Sequence, residues 1–167
     1  ILQSKSWVKN LCQFRHPTLN LCPDKHLSVD LGLNNLATCF DSTTGASFLM
    51  DGRYIKSINQ WYNKQKAYLQ SILDLQFKKL GQQSNRLMHL SRHREWRIND
   101  YFNRVTKYLV DYCLSKGIGT LVVGNFLQSK QGINLGKKTN QNFVSIPYGK
   151  LLQKLKSKCE QVGIAYL

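Results

Sequence analysis

The feature that most constrains the fold is the stretch of residues 26–52, which reads HLSVDLGLNNLATCFDSTTGASFLMDG. Apolar and polar residues alternate over residues 27–31, and the turn-forming residues Gly and Asn follow. Residues 36–40 and 46–50 predict two further strands, with DSTTG as the turn between them. Because short turns join strands that run in opposite directions, the stretch predicts an antiparallel meander of three strands.

After the meander the spacing of apolar residues changes to three and four, which is typical of helices. It predicts long helices over about residues 55–80 and 84–115, and Gly117 is the expected end of the second. Residues 119–126 predict a short, continuously apolar strand, as in a central position covered on both faces. A helix that Ser145 and Pro147 open and a strand over residues 165–167 complete the order β-β-β-α-α-β-α-β.

One aspartate, Asp30, lies inside the first apolar run of the meander. An ionised carboxylate that leaves water for a hydrophobic layer costs several kcal/mol unless it is paired. We therefore expect Asp30 to have a partner, and a metal ion is the first candidate. Asp41 and Asp51 flank turns, where Asp is frequent for hydrogen-bonding reasons, and both are interpreted as turn residues.

The charge of the chain points to nucleic acid. There are 24 Lys and Arg residues against 9 Asp and Glu, a net charge of +15. Binding to a polyphosphate exploits such a surplus, although a membrane surface would attract it too. No apolar run approaches the roughly 18 residues that span a bilayer, and no signal peptide is evident. We expect a soluble, cytoplasmic protein with no membrane partner and no evident small-molecule substrate.

Five widely separated cysteines without a C-x-x-C pair indicate free thiols, so zinc is not expected in this stretch. His89 and His93 are four residues apart, a spacing that can ligate zinc, but no Cys or acid joins them. A solvated basic face is the favoured interpretation of this part of the helix. The aromatic residues of the two long helices are expected in the core rather than as base-stacking platforms, and these are Trp61, Tyr62, Tyr101 and Phe102.

The predicted order of elements is the plan of an RNase H-like fold, an α/β fold with a mixed sheet of about five strands and long helices. Four blocks, in their order and spacing, resemble the RuvC-like domain of TnpB-type (OrfB family) transposase-associated proteins: VDLGLNNLAT, KSINQWYNKQKAYLQSIL, TLVVGN and NLGKKTNQNFVSIPYGKLLQKLKSKCEQVGI. The resemblance covers about residues 26–167. This domain is expected to be incomplete at its C-terminal end, and residues 1–25 to be the irregular end of a preceding segment.

The resemblance implies an RNA-guided DNA endonuclease carried by insertion sequences and related to type V CRISPR effectors, with DNA and guide RNA as partners. Its site would be a trio of carboxylates that holds Mg²⁺, and Asp30 matches the first of them. Many RuvC-like nucleases have a glutamate where this chain has Gly124 and Asn125. The second and third carboxylates and the family's zinc ribbon would lie beyond Leu167. We therefore expect nucleic-acid binding without efficient cleavage, and Mg²⁺ only in the complete protein.

Two groups of residues are candidates for contact with nucleic acid, because Arg and Lys bind phosphates without reading sequence. The first is the glycine-containing loop after TLVVGN, where the candidates are Lys130, Lys137, Lys138, Asn140 and Gln141. The second lies on the basic face of the second long helix, with Arg92, Arg94 and Arg97.

Two other functions remain open at this point. A non-catalytic nucleic-acid-binding module explains the charge but gives no reason for an aspartate in an apolar strand. An actin-like ATPase also has a D-x-G hairpin under the nucleotide phosphates. That class predicts a second glycine-rich phosphate loop, which the sequence lacks, and the basic charge does not suit it.

Overall fold

A computed structural model describes residues 20–32, 34–77, 83–124 and 146–167. The eight predicted elements are present in the predicted order. The strands are β1 (Cys22–Leu31), β2 (Asn35–Asp41), β3 (Ser47–Asp51), β4 (Ile118–Val123) and β5 (Ala165–Tyr166). The helices are α1 (Arg53–Phe77), α2 (Asn85–Lys116) and α3 (Tyr148–Val162).

The five strands form one mixed sheet in the order β3-β2-β1-β4-β5. β1 to β3 are the expected antiparallel meander, with Val29 opposite Cys39 in β2. β1 and β4 run parallel, with Val29 opposite Val123, and β4 pairs in parallel with β5. The sheet confirms the predicted α/β, RNase H-like fold class, with β1 at its centre.

One face of the sheet carries the hydrophobic core. Leu27, Val29 and Leu31 of β1 point to it, as the period of two in a strand requires. Buried residues of all three helices belong to the same cluster, among them Phe102 of α2 and Leu155 of α3. Burying each such side chain contributes about 1.5–3 kcal/mol relative to leaving it exposed, so the helices are held against this face.

The ends of the helices follow their capping residues. α2 begins after Ser84, whose side-chain oxygen accepts a hydrogen bond from the Leu87 N–H at 3.2 Å. It ends at Gly117, and α3 ends at Gly163, both in the left-handed conformation with φ of 64° and 80°. No helix in the described part of the chain has the length and apolar composition that crossing a bilayer requires.

The start of β1 differs from the prediction. The strand begins at Cys22, so residues 22–25 are extended rather than irregular. Pro23 lies where the register with β4 shifts between Cys22 and His26. Proline lacks an N–H group and is tolerated at such an irregularity, which is why it does not exclude a strand here. Residues 1–19 lie outside the described part.

Candidate functional site

Asp30 lies near the carboxyl end of the central strand β1, on the face opposite the core. Its neighbours Val29 and Leu31 are buried, whereas Asp30 and Thr38, its partner in β2, are exposed. The expectation of a carboxylate inside a hydrophobic layer is therefore wrong. The alternation of side chains along a strand places Asp30 in contact with solvent, so it requires no partner for burial.

The end of β4 adjoins Asp30. The Gly124 N–H donates a hydrogen bond to the Val29 carbonyl oxygen at 2.9 Å. A Cβ atom added to Gly124 would lie 3.5 Å from Oδ1 of Asp30, an ordinary contact distance. The carboxylate thus borders the end of the TLVVGN segment. No residue in the described part is hydrogen-bonded or ion-paired with Asp30.

The described ligands at this edge of the sheet are of the kind that Mg²⁺ prefers, but they are too few to hold the ion. Carboxylate oxygens are ligands that Mg²⁺ prefers. Among the residues that the structure describes, however, no group of three or more His, Cys, Asp and Glu side chains could hold a metal ion. Asp30 can therefore act as one ligand, and the described residues do not complete a metal centre around it.

The buried carboxylate of the meander is Asp41, which is fully buried at the end of β2. It accepts hydrogen bonds from the Thr43 N–H at 2.7 Å, the Thr44 hydroxyl at 2.8 Å and the Tyr112 hydroxyl at 2.9 Å. Burial raises the pKa of Asp41, but these hydrogen bonds outweigh it and lower the pKa to about 2. Asp41 is a turn residue, as predicted, that also ties the β2–β3 turn to α2.

Two of the three candidate arginines link α2 to α1. Arg94 donates from Nε to Oδ1 of the buried Asn59 at 2.7 Å, and its guanidinium carbon lies 5.1 Å from the Tyr62 ring centroid. Arg97 donates from Nη2 to the Tyr54 hydroxyl at 3.4 Å, and its guanidinium lies over the Tyr54 ring. The prediction that this face is fully solvated is therefore wrong for Arg94 and Arg97. Arg92, in contrast, is exposed.

The sequence of the chain matches one family model over most of its length. The model, OrfB_IS605, is described as a probable transposase and matches residues 11–130. The chain belongs to this family of probable transposases. The resemblance to TnpB-type (OrfB) proteins that the sequence indicated is thereby confirmed. No protein of curated function has a sequence that matches this chain.

Two solved structures share the fold of this transposase-family chain. One is the cryo-EM structure of a Cas12f1–sgRNA–target DNA complex, with a TM-score of 0.64 and 15% sequence identity over 87% of this chain. The other is a cryo-EM structure of a CRISPR–Cas12f ternary complex, with a TM-score of 0.66 and 16% identity over 90% of this chain. The chain spans 36% and 30% of the length of these two proteins.

The predicted contact loop of this transposase-family protein, with Lys130, Lys137, Lys138, Asn140 and Gln141, lies outside the described residues. Of the aromatic residues expected in the core, Phe102 is fully buried, and Tyr62 and Tyr101 are half-buried. Trp61 is 43% exposed, so that expectation is wrong for it. Trp61 lies at the edge of the apolar stripe of α1. The spacing of apolar residues alone does not distinguish a residue at this edge from one at the buried centre of the stripe.

Proposed function

We propose that this chain forms the RuvC-like nuclease domain of an RNA-guided DNA endonuclease of the transposase family, and that Asp30 is one of its Mg²⁺ ligands. The observation that carries the proposal is the position of Asp30, exposed and without a described partner beside the end of β4. Family membership supports it, and so does the fold shared with a Cas12f1 protein, whose structure is that of a complex with sgRNA and target DNA.

Electrostatics give a reason for a cation at Asp30. The chain carries a net charge of +15, which attracts phosphates, and an unpaired carboxylate locally opposes that attraction. A divalent cation on the carboxylate reverses the sign of the local charge and lets a phosphate approach. When bound, Mg²⁺ would activate a water molecule and stabilise the leaving oxygen. The remaining ligands have to come from residues outside the described part.

The test uses the complete protein with its guide RNA and a labelled DNA target. Because a metal ion contributes several kcal/mol to transition-state stabilisation, Asp30→Asn should lower Mg²⁺-dependent cleavage by roughly a hundredfold or more. DNA binding should change little. Asp24→Asn is the matched control, since it makes the same change at another exposed position of β1. Cleavage by Asp30→Asn at the rate of the Asp24→Asn control would remove Asp30 from the site.

The second candidate is a nucleic-acid-binding module that does not cleave. It is favoured by one observation, the lack of a complete group of metal ligands among the described residues. Both candidates predict binding that weakens steeply as salt rises, because neutralised phosphates release counterions. The two candidates differ in the complete wild-type protein. A nuclease cleaves the DNA target when Mg²⁺ is present, whereas a binding module binds the target without cleaving it.

A further inference from the structure

A groove between α1 and α2 is not used by the proposed nuclease chemistry. Trp61 and Leu69 of α1 and Leu90 of α2 form its apolar floor, and Arg86, His89 and His93 line it from α2. Its volume is about 470 Å³, enough for a small planar group. All of these residues belong to the described part of the two helices.

Trp61 leaves much of its ring exposed at a point where α1 and α2 are joined by hydrogen bonds. The indole is 43% exposed and meets the His93 ring in a T-shaped arrangement, with 6.1 Å between the ring centroids. Hydrogen bonds between the two helices flank it, one from Arg94 to Asn59 and one between the hydroxyls of Tyr62 and Ser91 at 3.1 Å. An exposed aromatic surface on a helix that is tied to its neighbour can accept a stacked base with little loss of freedom.

The charges around the groove favour one kind of occupant. Arg86, His89 and His93 follow one another along α2 over seven residues, about 10 Å at the rise of a helix. Among the described residues that line the groove, none is acidic. An apolar floor beside the Arg86 guanidinium matches a nucleotide, which has an apolar base face and an anionic phosphate. The face of an apolar peptide would leave Arg86 without a counter-charge.

The other exposed tryptophan of the described residues, Trp96 of α2, has different surroundings. Trp96 is 74% exposed, but it lines the groove toward α3, where Glu95 is ion-paired with Lys150. Its neighbourhood therefore contains both signs of charge, and a phosphate gains less there than beside Arg86. Trp96 provides a matched control for Trp61.

We propose that an unpaired base of the bound nucleic acid stacks on Trp61 in this groove while Arg86 contacts the adjoining phosphate. The inference rests on the nucleic-acid binding in the proposed function and adds a site for it. Stacking of a base on an aromatic side chain is tolerant of sequence, since every base has a π-face. The site therefore takes single-stranded DNA or RNA.

The experiment measures binding of the 167-residue chain to a fluorescent oligothymidylate and to an abasic deoxyribose-phosphate strand of the same length. Oligothymidylate should bind roughly tenfold more tightly, because only it can stack. Trp61→Leu should remove this preference and leave abasic binding unchanged, and Trp61→Phe should retain part of it. Trp96→Leu should keep the full preference. An oligouridylate strand tests whether RNA is accepted equally.

The results distinguish failure of the stacking site from failure of nucleic-acid binding as a whole. An equal preference in wild type, Trp61→Leu and Trp96→Leu overturns the stacking site while nucleic-acid binding stands. Failure of the wild type to bind either strand overturns the binding that the proposed function requires. Circular dichroism checks that Trp61→Leu is folded. Should it unfold, Gln65→Glu replaces it as a second variant, since it places a carboxylate beside the groove at an exposed position and should weaken oligothymidylate binding. Oligothymidylate binding by Gln65→Glu at the wild-type affinity would overturn the site.

Discussion

Gly119 is the position at which the parallel pairing of β1 and β4 depends most directly on the absence of a side chain. A Cβ atom there would lie 2.6 Å from the carbonyl oxygen of Cys22, 2.7 Å from its carbonyl carbon and 2.9 Å from the nitrogen of Pro23. All three atoms belong to the backbone of β1, so no side-chain rotation relieves the clash. Gly119→Ala must therefore move the two strands apart near the start of β4.

The magnitude follows from three contributions. Overpacking of this kind costs about 1–3 kcal/mol. Separation of the strands also weakens nearby hydrogen bonds, such as that from the Thr120 hydroxyl to the Pro23 carbonyl oxygen at 2.8 Å, and one such bond is worth about 1 kcal/mol. Replacing Gly by Ala lowers the entropy of the unfolded chain and returns about 0.4–1 kcal/mol. We expect Gly119→Ala to lower the free energy of unfolding by about 1–3 kcal/mol.

Gly149 provides the matched control, because a Cβ atom there meets nothing within 4 Å and the residue lies in the first turn of α3. Gly149→Ala should raise the free energy of unfolding by about 0.4–1 kcal/mol. The assay is urea unfolding of the 167-residue chain, followed by circular dichroism, with the midpoint and slope compared among the three proteins. A midpoint for Gly119→Ala at or above that of Gly149→Ala would refute the close approach of β4 to β1.

Two further predictions concern buried groups. Tyr112→Phe removes a donor to Asp41 and should lower the free energy of unfolding by about 1–2 kcal/mol near neutral pH. Because the pKa of Asp41 is lowered from 3.8 to about 2, its stabilisation is complete above the unfolded value and disappears as the pH falls toward 2. The difference between Tyr112→Phe and wild type should therefore shrink over that range, and a difference constant with pH would contradict this. Burial also raises the pKa of three thiols to about 12, 12 and 11, so iodoacetamide should modify them only on unfolding, as mass spectrometry of labelled peptides can check. These thiols are Cys39, Cys113 and Cys159.

The order and type of the elements could be predicted from sequence because the local signals agree with the final packing. The left-handed glycines at positions 117 and 163 end α2 and α3 where the pattern predicts, and the meander follows its turn residues. The start of β1 could not be predicted, since Pro23 argues locally against a strand. Its pairing with β4, a segment about a hundred residues further along the chain, decides the conformation instead.

The surroundings of the charged side chains could be predicted only in part. The same alternation that predicts β1 also predicts that Asp30 faces away from Leu27 and Val29, so its exposure was available from the sequence. The partner of Asp41 was not, because Tyr112 is 71 residues away. The contacts of Arg94 and Arg97 likewise depend on the register between α1 and α2, which no local pattern contains.

The separation between the two faces of the sheet determines how the Asp30→Asn experiment can be interpreted. The core lies against one face, and Asp30 projects from the other without a described partner. Its replacement by an amide of the same shape removes no packing and no hydrogen bond within the described part of the chain. The free energy of unfolding should therefore change by less than about 0.5 kcal/mol, as for surface substitutions in general. A loss of cleavage in a variant that unfolds at the wild-type urea concentration then reports on the chemistry at the carboxylate and not on the fold.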